Sequence, residues 1–196
     1  MPIRDAMPIF SDKRAEAPKV TAMSDSEMRL RLDSNKDLAI EFAINLAERH
    51  LERTDAPRDL REDLGKVVQA VRASWEDPAS ESKPKKVEIA LAISHNKFMV
   101  PLPLKGSQLE LMVLVDSAAS ALSISKSGSK YDVGLVATRA RQTAIRSVMY
   151  LVPLEDREKI VAAEKALQAG EIARLVEKYS PAKAPAPGVE SVAKRD

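Results

Sequence analysis

The sequence predicts an α+β fold, in which an N-terminal helical hairpin and C-terminal helices pack on an antiparallel sheet of four or five strands. Two kinds of periodicity support this prediction. Apolar residues recur at helical spacing in the ranges 34–76 and 138–179, whereas apolar and polar residues alternate through much of 87–137. We therefore expect a helical hairpin at 34–76, a linker at 77–86, a sheet at 87–137 and helices at 138–179.

A chain of 196 residues is long enough for one folded domain with terminal extensions. Residues 1–23 combine three prolines with charges of both signs and show no sustained period, so they are expected to be a disordered arm. Residues 181–196 are rich in proline and alanine and are expected to be a disordered tail. The predicted single domain therefore covers 24–180.

The predicted hairpin begins with a helix that Ser34 or Asn35 caps and that ends near Arg53. Its second helix begins at Pro57, which suits the first turn of a helix, and ends near Trp75. The second helix presents one apolar stripe to the core, made of Leu60, Leu64, Val67, Val68 and Val71. The linker that follows is polar and contains two prolines.

The segment Met28–Leu32 alternates apolar and basic residues, which leaves two interpretations open. It is either the lead-in to the first helix or a short strand like that of a ribbon-helix-helix DNA-binding protein, which reads the major groove. The helix after it is long and the helical pair is net acidic. The sequence therefore favours the lead-in.

The predicted sheet contains a half-buried strand at Val87–Ser94, where the large apolar residues share one face. An edge strand follows at Val100–Leu104, because the two prolines there cannot donate ladder hydrogen bonds. Both faces of Gln108–Val115 are apolar, which predicts a central strand. A hairpin over 122–137 completes the sheet.

The sequence of the last part of the domain predicts three helices, at about 138–151, 154–167 and 171–179. Gly170 is expected to end the second of them. An all-helical fold is the main alternative. The apolar runs of the predicted sheet region are so short that they fit the period of a helix as well as that of a strand.

Several functional classes lack support in the sequence. There is no cysteine, and the two histidines, His50 and His95, lie in different predicted elements, so we expect neither a metal nor a cofactor. No glycine-rich phosphate-binding motif and no paired nucleophile and base are present, so we expect that the protein is not an enzyme. No long apolar run predicts a membrane span, and without an export leader or cysteines we expect a cytoplasmic protein.

The net charge of +2 is small, but the charge is unevenly distributed. The range 35–77 holds seven Lys or Arg and ten Asp or Glu, whereas 126–146 holds five basic residues and one acid. An excess of basic residues can bind phosphates without reading sequence. The candidate nucleic-acid-binding residues are Lys126, Lys130, Arg139, Arg141 and Arg146.

Two functions follow from this charge distribution. The first is a non-enzymatic binding protein that contacts the phosphates of DNA or RNA through the basic residues. The alternative is a protein-interaction or assembly factor that binds another protein through the acidic helical hairpin. Base stacking is not favoured, because only Tyr131 and Tyr150 lie near the basic residues.

Overall fold

The structure, a computed structural model, describes residues 23–78, 106–127 and 132–180. These residues form six α-helices and one short 3-10 helix, and no strand occurs among them. The α-helices are α1 (Asp25–Ser34), α2 (Lys36–Arg53), α3 (Arg58–Glu76), α4 (Ser107–Ser127), α5 (Val133–Tyr150) and α6 (Arg157–Tyr179). The 3-10 helix Leu154–Asp156 joins α5 to α6. The predicted α+β fold is therefore wrong for the described residues.

Helix α1 includes the segment Met28–Leu32, for which a short strand was one of the two interpretations. Ser24 caps it, since the Ser24 side chain accepts a hydrogen bond from the backbone amide of Glu27 at 3.2 Å. Met28 and Leu32 lie one turn apart and are fully buried. A ribbon-helix-helix strand at this position is thus excluded, and the segment forms a helix of its own.

The two helices of the predicted hairpin are confirmed. Asn35 caps α2 by accepting a hydrogen bond from the backbone amide of Leu38 at 3.0 Å. Pro57 is the residue before α3 rather than its first residue. All five residues of the predicted α3 stripe are buried: Leu60, Leu64, Val67, Val68 and Val71. Helix α2 contacts the five other α-helices that the structure describes, which makes it the central helix among them.

Helix α4 replaces the predicted central strand at Gln108–Val115 and the start of the predicted hairpin. Its buried residues recur at helical spacing and include Leu111, Leu114, Val115, Ala118 and Leu122. Leu109, which the strand would place on the buried face, is 36% exposed. An apolar segment that is covered on several sides fits both periods, which explains the wrong prediction.

Helix α4 is long and apolar enough to cross a membrane by length and composition, and it is the one such helix among the described residues. Of its most apolar window, 56% is buried inside the bundle. A core helix of a folded domain meets the same criteria, so this feature is weak support for a membrane span.

Helix α5 starts earlier than predicted, at Val133 instead of Thr138, and so overturns the last predicted strand within the described residues. The Asp132 side chain caps it by accepting a hydrogen bond from the backbone amide of Gly134 at 2.8 Å. Helix α6 runs without a break through Gly170, where two separate helices were predicted. One glycine costs an interior helix only about 1 kcal/mol, which tertiary packing offsets here.

Side-chain contacts show the relative direction of α2 and α4. Ser107 at the start of α4 donates a hydrogen bond to Asp55, just after the end of α2, at 2.6 Å. At the other end of α4, Lys36 donates to the carbonyl of Ser125 at 2.9 Å. Helix α4 is thus antiparallel to α2.

Several predictions fall on residues that the structure does not describe. The predicted strands at 87–94 and 100–104 lie outside the described residues. So do His95, nearly all of the predicted arm and linker, and the predicted tail at 181–196.

Candidate functional site

The basic residues predicted from the sequence make different contacts in the bundle. Arg141 is buried, and its guanidinium donates a hydrogen bond to the carboxylate of Asp25 in α1 at 2.8 Å. Arg146 is half exposed and donates two hydrogen bonds to the carboxylate of Glu110 in α4, at 2.9 and 3.1 Å. Two of the five residues are therefore already paired with acids of neighbouring helices.

The other basic residues lie apart from this pair. The ammonium of Lys126 donates a hydrogen bond to the hydroxyl of Ser74 in α3 at 2.8 Å. Glu110, the partner of Arg146, lies 16 positions before Lys126 on α4, which corresponds to about 24 Å along the helix axis. Arg139 is exposed on α5, and Lys130 lies outside the described residues. The structure thus brings together Arg141 and Arg146, and it places Lys126 at the opposite end of the bundle.

Arg141 and Arg146 line an open groove of about 500 Å³ between α5 and α6, beside the start of α1. We call it the α5–α6 groove. Two further cations from α6, Arg157 and Lys165, also line it. Its acidic side chains are Asp25 and Glu158. The groove therefore has an excess of two basic residues.

The α5–α6 groove also has an apolar part. Ile145 and Met149 contribute to it from α5, and Val161 contributes from α6. The polar side chain of Gln142 completes the lining. Cations around an apolar centre are suited to a ligand that carries both carboxylates or phosphates and an apolar surface.

Asp25 shows how the groove binds a carboxylate. One of its oxygens accepts a hydrogen bond from Arg141 at 2.8 Å, and the other accepts one from Lys165 at 3.0 Å. The hydrogen bond from Arg141 and then that from Lys165 hold the pKa of Asp25 below its usual value. The side chain of Asp25 is 52% exposed, so this carboxylate lies at the solvent-facing edge of the groove.

Arg157 is the groove cation without an acidic partner among the described residues. Its Nε is buried and has no hydrogen-bond acceptor there. The sequence prediction missed Arg157 and Lys165, although a signal for them exists. Arg157, Val161 and Lys165 lie at i, i+4 and i+8, which places them on one side of a helix.

A second groove of about 630 Å³ lies beside the outer face of α3, and two of its three cations, Arg58 and Lys66, have acidic partners in their own helix. Arg58 donates a hydrogen bond to Glu62 at 2.6 Å, and Lys66 donates one to Asp63 at 3.0 Å. Ion pairs one turn apart on an exposed helix are typical of a solvated surface. Leu51 is the one large apolar side chain that lines the second groove, so this groove lacks the apolar part of the α5–α6 groove.

Two acids of the predicted hairpin, Glu41 and Glu48, contact cations of neighbouring helices. Glu41 of α2 accepts hydrogen bonds from Lys178 at 2.6 and 2.8 Å and a short one from the hydroxyl of Tyr179. Glu48 accepts two hydrogen bonds from Arg72 at 2.6 and 2.8 Å, which join α2 to α3. Glu41 and Glu48 are therefore interhelical contacts, whereas other acids of the hairpin, such as Glu52, Asp59 and Glu76, are exposed.

A buried ionic network joins α2 to α6. Arg49 donates hydrogen bonds to Glu164 at 2.6 Å and to Glu171 at 2.7 Å. Gln168 donates another to Glu164 at 2.9 Å, and Nε2 of the buried His50 lies 3.5 Å from the same carboxylate. Burial raises the pKa of Glu164, but the contact with His50 and the charge of Arg49 outweigh burial and lower the pKa to about 2. The carboxylate of Glu164 is thus held in its charged form.

No group of three or more metal-ligating side chains lies together in the described part of the chain. His50 belongs to the buried ionic network, where Arg49 and Gln168 compete for the same carboxylate. The network does not line any of the grooves above. It is therefore a structural contact between helices.

Comparison with models of protein families finds no match to the chain, and comparisons with curated proteins and with solved structures find none either.

Proposed function

We propose that this chain is a non-enzymatic protein-binding module and that the α5–α6 groove is its binding surface. The observation that carries this proposal is the composition of the groove, in which four cations and two acids surround an apolar centre. Interfaces between proteins combine an apolar centre with a polar or charged rim in this way. The proposal takes up the protein-interaction function that was the alternative in the sequence analysis, but it moves the binding surface from the hairpin to α5 and α6.

The contacts of the basic residues favour a protein partner over a nucleic acid. Phosphate binding along a backbone needs a continuous row of available cations. Arg146 is already bound to Glu110, and Lys126 lies about 24 Å from Glu110 along α4. A nucleic acid would also leave the apolar centre of the groove without a matching surface.

A site-specific photo-crosslinking experiment tests this function. A photoreactive phenylalanine analogue replaces Gln142, an exposed residue that lines the groove, and the protein is irradiated in its native host. The matched control carries the analogue at Ser120, an exposed residue of α4 outside the groove. Mass spectrometry then identifies the adducts.

We expect one defined protein adduct from position 142 that is absent from position 120. An adduct with DNA or RNA at position 142 would support the nucleic-acid function instead. No adduct specific to position 142 would remove the groove as the binding surface.

A further inference from the structure

We infer that the α5–α6 groove binds an acidic amphipathic helix of the partner protein, and that a carboxylate of this helix takes the place of Asp25 on Arg141 and Lys165. The inference rests on the protein-binding function proposed above and specifies the chemistry of the partner. Three features of the groove support it: the carboxylate that it already holds, the spacing of its α6 cations and its apolar centre.

Asp25 is a carboxylate of the chain itself that occupies the edge of the groove. It is bound by Arg141 at 2.8 Å and by Lys165 at 3.0 Å. Because half of the Asp25 side chain is exposed, water and other solutes reach the pair. A glutamate or aspartate of a partner carries the same functional group and can therefore compete for the same two cations.

The spacing of the α6 cations matches that of acids on a helix. Arg157 and Lys165 are eight residues apart, which corresponds to about 12 Å along α6. Two acids seven or eight positions apart on a partner helix are separated by a similar distance. One of these acids would contact Lys165, and the other would give Arg157 the acidic partner that the described residues do not provide.

The apolar centre explains why the partner is a helix with an apolar stripe. Val161 lies four residues from both Arg157 and Lys165, and Ile145 and Met149 face it from α5. A helix that presents apolar residues between its acids would cover all three. Burial of apolar surface stabilises such a complex beyond what exposed ion pairs contribute.

Fluorescence anisotropy with synthetic peptides tests the inference on the full chain. The probe is a labelled helical peptide of about 20 residues, with leucines along one stripe and glutamates flanking it at helical spacing. The control peptide carries glutamine at every glutamate position. We expect the glutamate peptide to bind at least about tenfold more tightly than the glutamine peptide.

Three variants of the chain locate the contact. R157E should weaken peptide binding by about tenfold or more, whereas K159E, the same change at an exposed α6 residue outside the groove, should leave it within about twofold. D25N should strengthen binding by about threefold or more, since the amide competes less well for Arg141 and Lys165. Far-UV circular dichroism confirms that each variant folds.

Equal affinity for the two peptides, or equal losses in R157E and K159E, would overturn the inference. Unchanged or weaker binding by D25N would overturn the displacement of Asp25. If the peptide does not bind but position 142 still forms a protein adduct, the protein-binding function stands and only the acidic helix is wrong. If the peptide does not bind and position 142 forms no specific adduct, both the protein-binding function and the inference are wrong.

Discussion

A guanidinium nitrogen of Arg49 lies 2.6 Å from Oε1 of Glu164, and this hydrogen bond joins α2 to α6 in the interior of the bundle. Both side chains are largely removed from solvent, since 17% of Arg49 and 1% of Glu164 are exposed. A buried charge that loses its partner is strongly destabilising. The stability of the bundle should therefore depend on this pair more than on its exposed ion pairs.

The substitution E164Q tests this dependence. We expect the free energy of unfolding to fall by about 3 kcal/mol, because the buried guanidinium of Arg49 then keeps only one of its two acidic partners, Glu171. Urea unfolding measures the change. The control E155Q alters an exposed residue of the 3-10 helix and should change the free energy of unfolding by less than about 0.5 kcal/mol. Equal effects of the two substitutions would contradict a stabilising role for the network.

The pKa of Glu164 predicts how stability depends on pH. The folded-state pKa is lowered from 4.5 to about 2, so the unfolded chain takes up a proton before the folded chain does. The contribution of Glu164 is fully present above about pH 4.5 and is lost as the pH falls towards 2. The loss is on the order of 3 kcal/mol.

Urea unfolding of the parent and of E164Q across this pH range checks the prediction. The parent should lose stability more steeply than E164Q, in which the titrating group is absent. Asp25 and Glu41 also have lowered pKa values, so E164Q should keep a smaller dependence of the same sign. Parallel pH profiles for the two proteins would rule out Glu164 as a source of the acid sensitivity.

Two glycines in helices should respond in opposite ways to alanine. At Gly134 in α5, an added Cβ would lie 2.7 Å from the Cα of Asp33 and 2.9 Å from the carbonyl oxygen of Leu32, so α1 must move away. At Gly65 in α3, no atom lies within 4 Å of the added Cβ. We expect G134A to destabilise the protein by about 1–3 kcal/mol and G65A to stabilise it by about 0.5–1 kcal/mol. Thermal unfolding distinguishes them, and a stable G134A would show that α1 is not packed closely on α5.

Binding to duplex DNA should be weak and only slightly dependent on salt. Arg139 is the predicted basic residue that has no acidic or hydrogen-bonding partner among the described residues. This one available cation among the described members of the predicted set corresponds to a slope of about −1 in a plot of log affinity against log salt concentration. A salt titration of the parent and of R139A measures it. A slope of about −3 or steeper would instead favour the nucleic-acid function and contradict the protein-binding proposal.

The sequence was sufficient to predict α2 and α3, because each combines a clear start signal with one apolar stripe. Asn35 is the confirmed cap of α2. The sequence was insufficient to predict the helix at Gln108–Val115, because apolar residues on both faces fit a covered strand as well as a core helix. The alternation of Leu122 and Ile124 with serines strengthened the wrong period, although Leu111, Leu114, Val115 and Leu122 also fit a helical stripe.

The candidate site was predicted only in part, for a different reason. Arg141 and Arg146 were identified as basic residues of one helix, but their acidic partners come from α1 and α4. Local periodicity does not determine which helices become neighbours in a bundle. Arg157 and Lys165 were missed because their importance depends on the packing of α6 beside α5.

The contact between Asp25 and Lys165 joins parts of the chain that are made at different times during synthesis. The two residues are 140 positions apart in the chain. At a typical rate of about 5–20 residues per second, the ribosome adds Lys165 roughly 7–30 s after Asp25. Helices α1 to α5 are therefore synthesised before the α6 wall of the groove exists. A truncated product that ends before α6 would lack one wall of the groove, so only a polypeptide that includes α6 can engage the proposed partner.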